Sequence, residues 1–324
     1  MHEGEWIASR LSTFGTTVAS VVPRGFASYA RVLHPAEAPH HGHGRLVRWA
    51  EVAAWSGMPL RADAQFHSIA LPPRRPDAPA PWTGQGPRSG SLYPPDALVL
   101  AEILRRFSET PERCWFCLWD GFDLRGRPLT AAGEPSPRRD DPPPEAVRLG
   151  PRVRLPCRDY LLYEGPADAV VTLQLPGHDQ TANLWWPSDH AWAVASEIDL
   201  AWSYVGGSAA LIDSLLADER VEVLPAGPDD RLTRVEEWVE RQAGEAVGRL
   251  LATGEAWVET SRGTLHAYLE RPTRFREGWL RTVRDGDNGV RGSGGVRLGR
   301  GGADDIRGLL ISYVSSGVIA LVGG

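Results

Sequence analysis

Apolar and small residues alternate along the chain between Trp192 and Tyr204. Trp192, Val194, Ser196, Ile198, Leu200, Trp202 and Tyr204 share one parity, and Ala191, Ala193, Ala195, Glu197, Asp199, Ala201 and Ser203 share the other. Side chains of an extended chain point alternately to opposite faces, so the pattern predicts one strand or two, with the large residues as the core face. The period then changes. Gly206 and Gly207 form a turn, Ser208 stands before an apolar run, and a helix is predicted over Ala209–Ala217.

The same reading divides the rest of the chain. Residues 16–34 predict two short strands around Pro23, Arg24 and Gly25, and Leu46–Trp55 predicts a helix. Pro72–Pro95 is too rich in proline for regular structure. "DALVLAEILRRF" reads as a helix with Leu98, Ala101, Ile103, Leu104 and Phe107 on one side, and "RCWFCLWDGF" as a buried strand. Beyond the irregular "EPSPRRDDPPPE", the run "DAVVTLQL" predicts another strand. Strands and helices mix without strict alternation, which predicts an α+β fold with a mixed, largely antiparallel sheet and flanking helices.

"GPDD" at residues 227–230 marks the predicted boundary between a large domain, 1–226, and a small C-terminal α+β domain, 227–324. The latter reads as helix, hairpin, helix. "RVEEWVERQAGEAVGRLLATG" has apolar residues at helical spacing, with Glu237/Arg241 and Glu245/Arg249 as i,i+4 pairs. A hairpin is predicted about Ser261, Arg262 and Gly263, then a glycine-rich loop with Arg291, Arg297 and Arg300, then a last apolar helix from Ala303.

Composition narrows the function. Of the 324 residues, 35 are basic, and every one is Arg. Without lysine there is no Schiff-base lysine, no Walker-type phosphate lysine and no Ser-Lys dyad. A net charge of -6 argues against a general nucleic-acid binder, which needs a basic face. The amino terminus shows no basic stretch followed by an apolar run, and no segment reaches about eighteen uncharged apolar residues, so a cytoplasmic protein with no membrane partner is expected. An odd set of three cysteines, Cys114, Cys117 and Cys157, fits a reducing compartment.

Candidate chemistry centres on Glu197 and Asp199. Two carboxylates two residues apart on one strand face, among alanines, leave room for a ligand and repel one another, which raises one pKa and suits acid-base work or cation binding. His190, beside Asp189, adds a base. The competing reading is a solvated strand face and a capped loop. Gly206, Gly207 and Ser208 resemble a strand-to-helix anion site, although Ser before an apolar helix is also what capping alone requires. Trp185 and Trp186 point opposite ways if extended, which places at least one at a rim. Cys114 and Cys117 read as core, pointing to opposite faces of a strand. His34, His40, His41 and His43 sit in a Pro/Gly loop, where an adventitious metal site is the better reading; no metal and no cofactor are assigned.

"RCWFCLWDGF", "RDYLLYEGP" and "NLWWPSDHAWAVASEIDLAWSYVGGSAALIDSLLAD" together resemble a family of functionally unassigned bacterial open reading frames from high-GC genomes. The resemblance covers about residues 16–225, brings no reaction with it, and implies that this stretch is a unit with the tail attached. The expected function is a non-catalytic ligand- or protein-binding or regulatory module whose partner is a small molecule or a protein. The alternative is a hydrolase or other acid-base enzyme using Glu197, Asp199 and His190.

Overall fold

The structure, a computed structural model, describes residues 3–12, 15, 17–38, 45–70, 82–120, 150–155, 158–172, 180–232, 248–260, 263–270, 279–285 and 291–297. An antiparallel sheet of eight strands with flanking helices makes the fold α+β. Its strands are β1 (Ser28–Leu33), β4 (Cys114–Trp119), β5 (Arg152–Leu155), β6 (Arg158–Gly165), β7 (Leu184–Pro187), β8 (Ala193–Ala195), β9 (Trp202–Gly207) and β10 (Val223–Ala226), in the order β10-β1-β9-β8-β7-β4-β6-β5. A two-stranded sheet pairs β2 (Ala36–Glu37) with β3 (Leu46–Val47). The chain forms two compact units: Val21–Leu118 with Tyr163–Arg231, and Met1–Ser20 with Trp119–Leu162 and Leu232–Gly324.

In the first unit both faces of the sheet are buried. On one face Ala30, Val32, Phe116, Trp185, Trp192, Val194 and Val205 meet the helices α4 (Pro94–Leu104) and α5 (Ala209–Leu216). On the other, Trp49 of α2 (Trp49–Ser56) stands edge-on to Trp202 at 6.2 Å and to Phe66 of α3 (Phe66–Ala70) at 5.3 Å. Sheets covered on both sides lose the apolar-in, polar-out alternation that marks a half-exposed strand. The parity of Trp192–Tyr204 therefore misleads. β8 and β9 are separate strands whose register pairs Val194 with Val205, not with Tyr204. Even positions of β8 share a face with odd positions of β9, so Trp192 and Val194 lie on the opposite face from Trp202 and Tyr204, and both faces are core.

Local chemistry explains the helices. α2 follows the extended Arg48, and the Glu222 carboxylate, from the far end of the chain's large unit, accepts the Trp49 and Ala50 N–H groups at 2.6 and 2.8 Å. These donors have no partner inside the helix, so a distant acid supplies the cap. α2 ends on Gly57 at φ 66°, the left-handed conformation that glycine adopts cheaply. α4 opens on Pro94 and Pro95, where the missing N–H costs nothing. Its Asp96 is buried and takes a two-pronged bond from Arg48 at 2.6 and 3.2 Å. Leu98, expected on the buried side, is 43% exposed, because Ala97, Leu100, Ala101, Ile103 and Leu104 fill the contact with the sheet instead.

Further expectations are corrected. The first of the two strands expected in residues 16–34 is a short 3-10 helix, Val18–Ser20, and only the second, β1, is a strand. The expected strand "DAVVTLQL" is a 3-10 helix over Ala167–Val171, begun by Pro166 and stitched by i to i+3 bonds; residues 173–175 lie outside the described residues. The predicted helix over Leu46–Trp55 starts only at Trp49, since Leu46 and Val47 form β3.

In the C-terminal region, β11 (Glu255–Thr260) pairs with β12 (Gly263–Glu270), as the expected hairpin does. β13 (Trp279–Asp285) and β14 (Arg291–Arg297) extend this to a four-stranded sheet. The glycine-rich segment expected as a loop is thus partly a strand: Arg291 and Arg297 are the ends of β14, held by pairing along the whole length of β13 despite glycine's poor strand propensity. Of the predicted helix before β11, residues 248–253 are helical and the rest lies outside the described residues, as do Arg300 and the final helix.

Candidate functional site

The polar centre of the first unit lies at one end of the sheet. One residue beyond the paired ends of β7 and β8, Asn183 faces Ser196, which in turn faces Ser203 of β9, and His34, one residue beyond β1 and diagonal to Ser203, completes a polar row on the α4/α5 side. All four are buried. Ser196 N–H donates to the Asn183 carbonyl at 2.6 Å, the Ser196 and Ser203 hydroxyls lie 2.5 Å apart, and Ser203 Oγ is 2.9 Å from His34 Nε2. His34 Nδ1 is 2.7 Å from the Arg88 carbonyl.

That last contact fixes the polarity of the whole row. A carbonyl only accepts, so Nδ1 carries the proton and donates, and in the neutral ring Nε2 must accept. Ser203 then donates to Nε2, and Ser196 donates to Ser203. Burial pulls the His34 pKa down to about 4, and Arg31, three residues back on β1, pushes in the same direction. The imidazole is neutral at pH 7, with both nitrogens engaged.

A segment from Arg88 to Leu92 closes this end of the sheet. Gly90 N–H donates to the Leu200 carbonyl at 2.9 Å, while its own carbonyl accepts from Asn183 Nδ2 at 2.8 Å and from Gln180 Nε2 at 3.2 Å. Ser91 Oγ accepts the Thr181 N–H at 3.0 Å, and Thr181 Oγ1 donates to the Leu92 carbonyl at 3.2 Å. Gly90 has φ 73°, and a Cβ there would sit 2.7 Å from Ile198 Cα. The segment is therefore in backbone contact with the β8–β9 connection, residues 196–201, which turns through the Leu200 N–H to Glu197 carbonyl bond at 2.9 Å.

Glu197 and Asp199 sit on that connection and not on a strand face. Glu197 is 7% exposed and Asp199 half-buried, so the connection is seated against the unit. His190 does not join them. It lies in the β7–β8 turn, at the other end of β8, with φ 56°. Its neighbour Asp189 is a loop cap, accepting from Ser108 Oγ at 3.0 Å and from the Glu109 N–H at 2.6 Å. Seven positions separate His190 from Glu197 along the chain, with β8 between them, a span on the order of 20 Å where the chain is extended.

The glycines and tryptophans are packing residues. A Cβ on Gly206 would meet the Phe26 ring at 2.4 Å, and one on Gly207 would meet Leu211 Cδ2 at 2.5 Å. Ser208 caps α5, its hydroxyl accepting the Leu211 N–H at 3.2 Å. Trp185 and Trp186 are both buried, where one was expected at a rim. Trp185 stacks on Phe116 at 5.9 Å and meets Trp192 edge-on at 5.0 Å.

On the opposite face, Arg31 is buried 3.8 Å over the Trp202 ring and donates to the Ala62 and Ala64 carbonyls at 2.8 Å each. Burial lowers its pKa to about 10, so it stays charged at neutral pH. Cys114 and Cys117 are buried free thiols. Burial pushes Cys114 up to about 12 and Cys117 well above its ordinary range, which makes both poor nucleophiles.

The sequence missed most of this site. In sequence His34 stands close to His40, His41 and His43, which lie outside the described residues, and among the described residues no cluster of His, Cys, Asp and Glu could hold a metal ion. Ser196 and Ser203 are the available signal: two hydroxyls bracketing a turn within otherwise apolar strands. Asn183, one of only two asparagines, is a second. No helix among the described residues is long and apolar enough to cross a membrane. Comparison with protein-family models, with curated proteins and with solved structures finds no match.

Proposed function

We propose that the chain is a non-catalytic binding or regulatory module. Its recognition surface is the β8–β9 connection bearing Glu197 and Asp199, together with the adjoining Arg88–Leu92 segment, and its partner is a small molecule or a protein. The observation that carries this reading is the state of His34: its neutral ring is bonded at both nitrogens, to Arg88 and to Ser203 of β9, and so serves to tie the Arg88–Leu92 segment to the sheet beside the β8–β9 connection. Preorganised loops lose little entropy on binding, which favours affinity. The buried free thiols support a cytoplasmic setting. The division after residue 226, with a small C-terminal α+β domain attached, belongs to the same proposal.

A thermal-shift screen of metabolites, nucleotides, sugars and divalent metals tests it, because a ligand specific to the native state raises the melting temperature. The expected result is a ligand that stabilises the wild type, loses its effect in the Glu197→Gln, Asp199→Asn double variant, and is recovered chemically unchanged. A ligand that stabilises both proteins equally contradicts this placement of the site, and one converted to product contradicts the non-catalytic reading.

A further inference from the structure

We propose that the Arg88–Leu92 segment is an acid-sensitive clamp, which stays closed over the polar row while His34 is neutral and opens when the imidazole takes up a proton. This rests on the reading of that end of the sheet as the recognition surface, and it names how the surface is regulated.

The geometry provides the switch. His34 is 1% exposed, with Nδ1–H held on the Arg88 carbonyl and Nε2 accepting from Ser203. A second proton turns Nε2 into a donor facing a hydroxyl that already points its own hydrogen there. Ser203 must then turn its hydrogen away from the ring, and the cation is buried with Arg31 across the sheet. Charged side chains on the surrounding elements are Arg31 on β1, Arg88 on the clamp, Glu197 and Asp199 on the β8–β9 connection, and Glu222 just before β10; Arg31 acts directly against the cation. Moving the clamp away lets water reach the ring.

The direction follows from linkage. A hydrated histidine titrates near its ordinary value of 6.5, and the closed one at about 4. The open state therefore binds more protons between these values, so the closed form has its full advantage above pH 6.5 and loses it as the pH falls toward 4. The open population rises roughly tenfold per pH unit in that window, and about 20-fold from pH 7 to pH 5.

Hydrogen exchange of the full chain without ligand, read by mass spectrometry and corrected for intrinsic rates, tests the clamp. Peptides covering residues 86–92 and 196–203 should open about 20-fold more at pH 5 than at pH 7, while Leu100–Leu104 in α4 stays flat. In His34→Gln, which keeps an amide donor and acceptor but does not titrate, the rise should vanish. An equal rise in that variant, or a flat wild-type profile, overturns the proposal. If His34→Gln does not fold, the wild-type profile decides alone. A bend near pH 6.5 belongs to His34, whereas opening that begins only below pH 5 belongs to carboxylates and overturns it. Because no ligand is present, the ligand screen can fail while the clamp still titrates, and the reverse.

Discussion

Trp185→Ala is expected to cost about 3–5 kcal/mol of unfolding free energy, as truncation of a large buried aromatic does when its surroundings cannot collapse. Trp185 is 2% exposed, stacked on Phe116 and crossed by Trp192, in the layer that joins β4, β7 and β8 to α4 and α5. Three aromatic side chains, from β4, β7 and the residue before β8, cannot all move inward to fill one void. The melting temperature should fall by roughly 10 °C for a unit of this size. Trp55→Ala is the control: that side chain is 42% exposed on α2, and its loss should cost far less. If the two variants melt alike, Trp185 is not a core residue and the packing described for this face is wrong.

Gly90→Ala is expected to cost about 2–4 kcal/mol and to disturb the recognition surface at the same time. Two effects add. At φ 73° any side chain is strained, and the new Cβ would lie 2.7 Å from Ile198 Cα and 2.8 Å from the Ile198 carbonyl oxygen. Backbone atoms held by the Leu200 and Asn183 bonds cannot step aside as the tip of a flexible side chain would. Gly57→Ala separates the two effects, because Gly57 has φ 66° but no atom within 4 Å of its Cβ position. That control should lose only about 1 kcal/mol to strain. Equal losses, measured by denaturant unfolding, would mean that the clamp does not touch the β8–β9 connection.

Elements whose signal is local were legible in the sequence. α4, the buried strand around Cys114–Trp119 and the Ser208 cap all follow from residues within a few positions of one another. What failed depended on distant partners. The parity of Trp192–Tyr204 suggests one core face, yet facing is set by the pairing of Val194 with Val205, and no single-strand pattern reveals a register. Leu98 looked like core because helical spacing says which residues share a side without saying how wide the contact is. The glycines of β14 hid a strand that exists through its pairing with β13.

The site was half legible for the same reason. Glu197 and Asp199 drew notice as a pair of acids, and the structure puts them beside the polar row, though on a turn. The histidine that organises the row is His34, bonded to a serine 169 positions away, and not His190. A fully buried histidine at the end of a strand is indistinguishable in sequence from a loop histidine a few residues later. Adjacent tryptophans suggest a rim only when one sheet face is open, and here both faces are covered, so Trp185 and Trp186 are both buried.

One imidazole holds the polar row together, and nitrogen-15 NMR of the histidine side chains, assigned with His34→Gln, observes it directly. His34 should show the tautomer with the proton on Nδ1 and Nε2 as acceptor, and should hold it without titrating from pH 8 down to about pH 5. A proton on Nε2, or a midpoint near 6.5 in the folded protein, would contradict the closed polar row on which both the recognition surface and its clamp depend.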